Sequence, residues 1–361
     1  MSQSIDRVML FCWVAILALG TVMVASASIA ISQSLLIRHG VFLAAALAGL
    51  VLVLCVPLSW WQRGHRAAWV AAVALCGLVL VPGIGLEVNG ARRWIGLGAF
   101  SLQAAEAAKF LLLVYVAGYL HRFHGAVADD ARALLRPLLM LALLCGLLLM
   151  QPDFGTAVVL AVTTAALLFV AGARLRHFLL IVTLGAVMIA VLAVAQPYRL
   201  ERLITFVDPW QFAFGSGYQL TQALIAFGRG EVFGLGLGEG IQKLFYLPEA
   251  HNDFIFAVIA EELGLVGALT VLGLFAVLVL RILRLGRGAL AAGDTFAGYL
   301  VYGIGLMLGV QCLINLGVNT GVLPTKGLTL PFVSYGGNSL VVSCAMLGLV
   351  LRAQIEGGER G

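Results

Sequence analysis

An all-α, polytopic membrane protein is the fold class this sequence predicts, and three observations carry the prediction. Hydrophobic residues make up 62% of the 361-residue chain and charged residues 11%, against roughly 45–50% and 25% in soluble domains. The apolar residues gather into about ten runs near the roughly 20-residue length that crosses a bilayer. Lys and Arg fall between those runs, and unevenly.

The runs cover 8–29, 41–59, 67–82, 102–120, 136–150, 155–172, 177–195, 254–280, 297–320 and 332–351. The first lacks a small-residue cleavage site and reads as a retained helix rather than a removable signal. Ten crossings put both ends on one side. One alternating set of connections holds Arg7, Arg63, Arg66, Arg122, Arg132, Arg136, Arg174, Arg176, Arg281, Arg284, Arg287, Arg352 and Arg360. The smaller set holds Arg38, Arg92, Arg93, Arg199, Arg202, Arg229, Lys243 and Lys326. By the positive-inside rule both termini are cytoplasmic, and 196–253 is the one large extracytoplasmic loop, with short interfacial helices. No separate soluble domain fits, so 1–361 reads as a single integral membrane domain. The net charge of +5 is scattered, which suits a membrane surface and excludes a nucleic-acid face. The six cysteines lie inside apolar runs without metal or redox spacing and read as small packing residues.

Polar residues in apolar surroundings are the candidates for function. The third connection, Asn89-Gly-Ala-Arg-Arg-Trp94, breaks the charge rule by placing Arg92 and Arg93 outside, where the pair is either incidental or meant for an anion. Trp60, Trp61 and Trp94 suit the interfaces. In the fourth run Glu106 and Lys109 share a helix face and can neutralise each other or face a wet cavity. Asp153 either caps the helix after it or serves a site. In the outer loop, 218–227 has helical apolar spacing and is expected to lie flat on the outer surface. The glycines of 228–240 would let backbone approach a bound group. Glu261 and Glu262 fall about 12 Å into the eighth run, so at least one faces protein or a cavity. Gln311, Asn315 and Asn319 form one amide stripe, either bonding between helices or lining a polar path. The Pro- and Gly-rich 321–339, with Lys326, reads as a loop folded back at the outer face.

The densest chemistry lies in Tyr246-Leu-Pro-Glu-Ala-His-Asn-Asp253-Phe-Ile-Phe, which puts Glu249, His251 and Asp253 just before an apolar helix. Asp253 can be that helix's N-cap, or a carboxylate whose pKa the lipid boundary raises toward neutrality. His251 lacks a partner at ligand spacing, so no metal site is indicated.

These blocks, together with Gln151-Pro-Asp-Phe-Gly-Thr156, Glu261-Glu-Leu-Gly264 and Pro331-Phe-Val-Ser-Tyr-Gly-Gly337, resemble the SEDS family of bacterial wall synthesis along nearly the whole chain. Gly215-Ser-Gly-Tyr-Gln-Leu-Thr-Gln222 and Leu323-Pro-Thr-Lys-Gly-Leu-Thr-Leu330 look like its cell-division branch rather than its elongation branch. The resemblance implies a peptidoglycan glycosyltransferase that polymerises lipid II at the outer face of the cytoplasmic (inner) membrane, at the septum. It implies as partners a class B penicillin-binding protein and other divisome proteins.

In family terms Asp253 is the catalytic group, acting as general base in an inverting displacement of undecaprenyl pyrophosphate. Glu249 and His251 would tune it. Arg92, Arg93, Arg199, Arg202, Lys243 and Lys326 are the outside candidates to meet the pyrophosphate, Lys243 and Lys326 ahead of the others because each sits inside a family block, with a divalent cation, Mg2+ or Mn2+, as a further means of neutralising it. No organic cofactor is expected. Asn252, Asn338 and Ala104 depart from the family's usual residues without removing a titratable group. Two other readings stand beside this one: a lipid II flippase, suggested by Glu106, Lys109, Glu261 and Glu262, and a non-catalytic scaffold in which Asp253 would be replaceable.

Overall fold

A computed structural model describes residues 5–28, 33–88, 90–98, 100–194, 197–325 and 327–360. Among the described residues the α-helices are α1 (Arg7–Ser28), α2 (Gln33–Cys55), α3 (Leu58–Leu80), α4 (Ala104–Arg122), α5 (Ala126–Asp129), α6 (Ala131–Met150), α7 (Phe154–Val170), α8 (Leu175–Val194), α9 (Pro197–Val207), α10 (Tyr218–Gly230), α11 (Ile255–Ala291), α12 (Thr295–Asn319) and α13 (Gly337–Arg360). Eight of them, α1 to α4, α6 and α11 to α13, contain stretches long and apolar enough to cross a membrane. The apolar α7 and α8 supply two shorter ones. Together they match the ten runs of the sequence, and the chain is a multi-pass membrane protein.

The helix ends differ from expectation where polar residues hide a helical turn. α2 begins at Gln33 rather than 41, carrying Arg38 and the buried His39 into its first turns. α3 begins at Leu58 rather than 67, because Pro57 presets φ at −58° just ahead of the first turn. α6 starts before Pro137 and runs through it.

One element departs from an all-helical reading. Residues 85–103 fold as a small antiparallel sheet in the order β1 (Gly85–Val88), β2 (Ala91–Leu97) and β3 (Phe100–Gln103). Asn89-Gly90 between two extended runs is a strong hairpin signal, and Gly90 takes the positive φ of 72° that such a turn demands.

The core runs through the middle of the bundle on α1, α4, α11 and α12. Tyr299, Phe275, Phe296, Met9, Met23 and Leu112 are among its largest fully buried side chains. Asp6 bonds Arg281 at 3.3 Å, and the backbone N–H of Leu58 donates to Glu356 at 2.9 Å. These contacts gather the starts of α1 and α3 with the arginine-bearing ends of α11 and α13 at one end of the bundle. The sheet, the 196–253 segment and Asp253 lie at the other.

α11 is not continuous. Gly264, at φ 66° and ψ −166°, breaks it about two and a half turns below the loop that carries Asp253. The break exposes the carbonyls of Glu261 and Glu262, which accept from the N–H groups of Leu235 and Gly236 at 3.0 Å each. It also frees the N–H groups of Leu265 and Val266, which donate to the carbonyls of Glu231 and Val232 at 2.9 and 3.1 Å. The outer loop thus repairs the helix's missing hydrogen bonds, as buried backbone requires. A Cβ at Gly234 would run into the carbonyl of Glu262. Gly230 and Gly234 therefore serve a chain-on-chain approach, where the sequence suggested a bound group.

α10 differs in a similar way. Its apolar side, with Leu220, Ala223 and Ala226 buried, rests on protein, and Phe227 meets Phe256 of α11 with ring centroids 5.7 Å apart. The expected surface-lying helix is a packed one.

Candidate active site

Asp253 opens onto a cavity of about 730 Å³ at the outer end of the bundle. Sequence blocks far apart in the chain converge on it: Arg93 and Trp94 from β2, Glu106 from α4, Glu249 and His251 from the loop before α11, and Tyr335.

The first question is whether Asp253 merely caps α11. It does not: Phe254 occupies the cap position and the helix start receives no side-chain hydrogen bond from its own cap. Instead Asn319 of α12 accepts from the N–H of Ala257 at 3.1 Å, and its amide nitrogen donates to the Asp253 carbonyl at 2.9 Å. Asn315 donates to the same carbonyl at 3.0 Å and to that of Leu328 at 2.6 Å. The amide stripe therefore does the capping and holds the loop by its backbone. Among the described residues, none donates a hydrogen bond to the Asp253 carboxylate.

A second clamp comes from the Pro331-to-Gly337 block. The Ser334 hydroxyl donates to the Asn252 carbonyl at 2.7 Å, and the Tyr335 N–H donates to the His251 carbonyl at 2.9 Å. The Tyr335 ring lies 5.4 Å from the imidazole of His251. Gly327 passes so close that a Cβ there would sit 2.9 Å from a carboxylate oxygen of Asp253. Two of the three residues that depart from the family pattern are employed here. Asn338 donates to the Ser101 carbonyl of β3 at 2.8 Å, and Asn252 donates to Glu249 at 3.3 Å.

The electrostatics follow from this packing. Burial, and then the nearby negative charge of Glu249, push the Asp253 carboxyl up to about 7, against the opposing pull of Arg93 and Arg202. Burial lowers the pKa of His251, so its ring is neutral at pH 7, and its Nδ1 is buried without a partner among the described residues. Glu249 is held at a strained φ of 56°. Arg93 is fixed by donating to the carbonyls of Gln151 and Pro152 at 2.9 and 2.8 Å, and Gln151 is itself tied to the Cys76 carbonyl at 2.8 Å.

Other sequence candidates fall elsewhere. Lys243 was expected at the pyrophosphate. It is instead buried, 2.6 Å from Glu262, and bonded also to Ser26 and the Gly238 carbonyl. A cation committed to a buried carboxylate is not available to a substrate, so the structure places it in the framework. Arg92 points out of the cavity to the exposed Glu87 at 3.1 Å. Lys326 lies outside the described residues. Asp153 is the N-cap of α7, accepting from the N–H and hydroxyl of Thr156 at 3.1 and 2.9 Å.

Glu261 accepts from the N–H groups of Ile241 and Gln242 and pairs with Arg229 at 3.3 Å. Glu106 pairs with Lys109 at 2.8 Å, and Lys109 continues to Gln311 at 2.9 Å. The second oxygen of Glu106 is buried with no partner among the described residues. Arg202, an outer cation the sequence had put forward, acts on Asp253 by pulling its pKa down, whereas Arg38 was not among those candidates. Arg38 lines the cavity, and its signal was a cation on the side that the charge rule leaves poor.

Among the described residues no three His, Cys, Asp or Glu side chains gather closely enough to hold a metal ion. The cavity is lined by the carboxylates of Glu106, Glu249 and Asp253 with Arg38 and the fixed Arg93, and Glu106 is already paired with Lys109, so any divalent cation here would share substrate phosphate oxygens, as Mg2+ commonly does.

Fold and site define a class: an integral membrane protein with an acid–base side chain poised in a cavity at one end of its helices. Residues 6–358 match the FtsW/RodA/SpoVE family model, described as a cell cycle protein. A probable peptidoglycan glycosyltransferase FtsW from Coxiella burnetii is 49% identical across 98% of this chain and 97% of its own. One from Halomonas elongata is 51% identical across 97% of this chain and 90% of its own. Among solved structures, a chain from a study of how a peptidoglycan synthase complex coordinates polymerization and crosslinking superposes with a TM-score of 0.82, at 33% identity and 98% coverage of both chains. The rod shape determining protein RodA of Thermus thermophilus gives 0.73, at 32% identity and 97% coverage of both. The chain belongs to the FtsW/RodA/SpoVE family.

Proposed function

We propose that this chain is a peptidoglycan glycosyltransferase of the FtsW type, polymerising lipid II at the outer face of the cytoplasmic membrane during septal wall synthesis. Asp253 is the general base. The observation that carries this reading is a carboxylate with no hydrogen-bond donor among the described residues, facing a 730 Å³ cavity with its pKa raised to about 7.

A base poised near the working pH removes the proton from an attacking sugar hydroxyl as the new bond forms at the anomeric carbon. Displacement from the opposite face expels the lipid pyrophosphate, and the charge it gains is met by Arg93, with Arg38 on the same wall. Glu249 keeps the base's pKa high, and neutral His251 fills the wall beside it. The likeness to a synthase complex that couples polymerization to crosslinking supports a crosslinking partner, a class B penicillin-binding protein.

The buried charges that suggested a flippase favour the enzyme instead. Lys243 with Glu262, Arg229 with Glu261 and Lys109 with Glu106 are internally paired, and moving such charges would leave them buried without partners. The test is polymer formation from purified lipid II by the Asp253→Asn variant. The expected result is loss of glycan product with the protein still folded, and undiminished product would overturn the assignment.

A further inference from the structure

A second cavity, of about 360 Å³, lies at the opposite, arginine-rich end of the bundle, between α3, α4 and α6. Three helices each bring one guanidinium to it: Arg66, Arg122 and Arg136. Its floor is aromatic, with Trp69, Tyr115, Tyr119 and Phe123 in successive ring contact at 6.1, 6.3 and 4.7 Å. The Tyr119 hydroxyl donates to the Ala133 carbonyl at 2.7 Å and fixes α4 against α6. Arg122 and Arg136 both stand 5.9 Å from the Phe123 ring centre, held by cation–π attraction.

The charge here is unbalanced. Among the described residues none of the three arginines has a carboxylate within salt-bridge distance. The nearby Asp130 is occupied as the N-cap of α6, accepting from the Arg132 N–H at 2.8 Å. Three guanidinium groups around one hollow repel one another, and an anion relieves that repulsion. Guanidinium forks match phosphate oxygens two at a time. The cavity's flank is apolar and faces the bilayer. Val70 is exposed on α3, and Leu135, Leu139 and Leu143 form an exposed stripe on α6 beside Met140 of the lining. A ligand for this place has a phosphate head and hydrocarbon tails.

We propose that this cavity binds the headgroup of an anionic phospholipid from the arginine-side leaflet, its phosphate on Arg66, Arg122 and Arg136 and its acyl chains along α3 and α6. The site is separate from the Asp253 cavity and does not depend on the reaction assigned there.

The test uses the full chain in nanodiscs of phosphatidylcholine with and without phosphatidylglycerol or cardiolipin, read by native mass spectrometry and thermal unfolding. The parent protein should retain anionic phospholipid and unfold at a higher temperature when that lipid is present. The R66Q/R122Q/R136Q variant should lose retention roughly a hundredfold. A charge-matched R63Q/R284Q/R287Q control, altered at the same end of the bundle but off the cavity, should retain lipid as the parent does. Equal loss in both variants would overturn the site in favour of diffuse surface charge. Protection by millimolar inorganic phosphate in phosphatidylcholine discs would overturn the lipid as its occupant. Should the triple variant fail to fold, R122K/R136K keeps the charge and removes the fork. A several-fold drop in retention is expected there, and unchanged retention would overturn the proposal.

Discussion

Two groups of carboxylates stand within a few residues of one another around the start of α11, and they are treated in opposite ways. Glu261 and Glu262 are fully buried and saturated. Glu262 alone receives Ser26, the Gly238 N–H and Lys243 within 3.0 Å. Asp253 receives no donor among the described residues, and α12 and the 331–337 block hold its loop by its backbone carbonyls. The first arrangement fixes charge in place and makes it inert. The second leaves a side chain whose protonation is decided by its surroundings, which is the condition for moving a proton. Asp253 is half-buried at a cavity where Glu261 and Glu262 are fully enclosed, and it lacks the donors that they have.

The sharpest way to break this contrast is at Asp253. Asp253→Asn should lower the initial rate of polymerisation from purified lipid II by at least about 100-fold. It should leave thermal stability unchanged or raised. With its folded pKa near 7 against an ordinary 3.8, the folded state binds the proton more tightly than the unfolded chain, so this group costs stability as pH rises from about 4 to 7. The neutral amide removes that cost.

On the saturated side the pattern should reverse. Lys243→Met leaves Glu262 buried without its cation and should cost about 3–5 kcal/mol in thermal unfolding. Lys243→Met with Glu262→Gln should recover much of the loss, because neither partner is then left charged.

The pH profile provides a third measure. Polymerisation should fall about tenfold per pH unit below pH 7 and level off above it. Glu249→Gln should move the inflection downward, since the negative charge that helps raise Asp253 is gone. Arg93→Gln should move it upward for the converse reason.

The smallest effect is expected at the loop's periphery. Asn338→Ser loses the bond to the Ser101 carbonyl and should cost about 1 kcal/mol, read as a small drop in unfolding temperature with the pH profile unmoved.

How much of this was legible in the sequence depended on whether a residue's partner was local. The spans followed from apolar run length, and Asp253 with Glu249 and His251 from their crowding at a lipid boundary. The capping of α7 by Asp153 was readable because the partner, Thr156, is three residues away. Lys243 was misplaced because the carboxylate it meets, Glu262, belongs to the first turns of α11 and comes to it only through the folding back of the outer loop, a contact outside any local pattern. The sheet at 85–103 was passed over although Asn89-Gly90 announced it, since run length is a poor detector of four-residue strands. That α12's amides, rather than Asp253 itself, cap α11 depended on the register between two helices, which no local pattern encodes.

The span of α11 also sets a depth. From Ile255 to Arg281 α11 would advance roughly 39 Å at helical rise, the break at Gly264 aside, close to the roughly 40–45 Å of a bilayer measured across both headgroup layers. Arg281 is anchored to Asp6 at 3.3 Å at the far end, so the helix acts as a ruler with one end pinned. Its other end then falls near the opposite headgroup layer, the level at which the base proposed for Asp253 would meet a lipid-linked sugar without the substrate leaving the membrane.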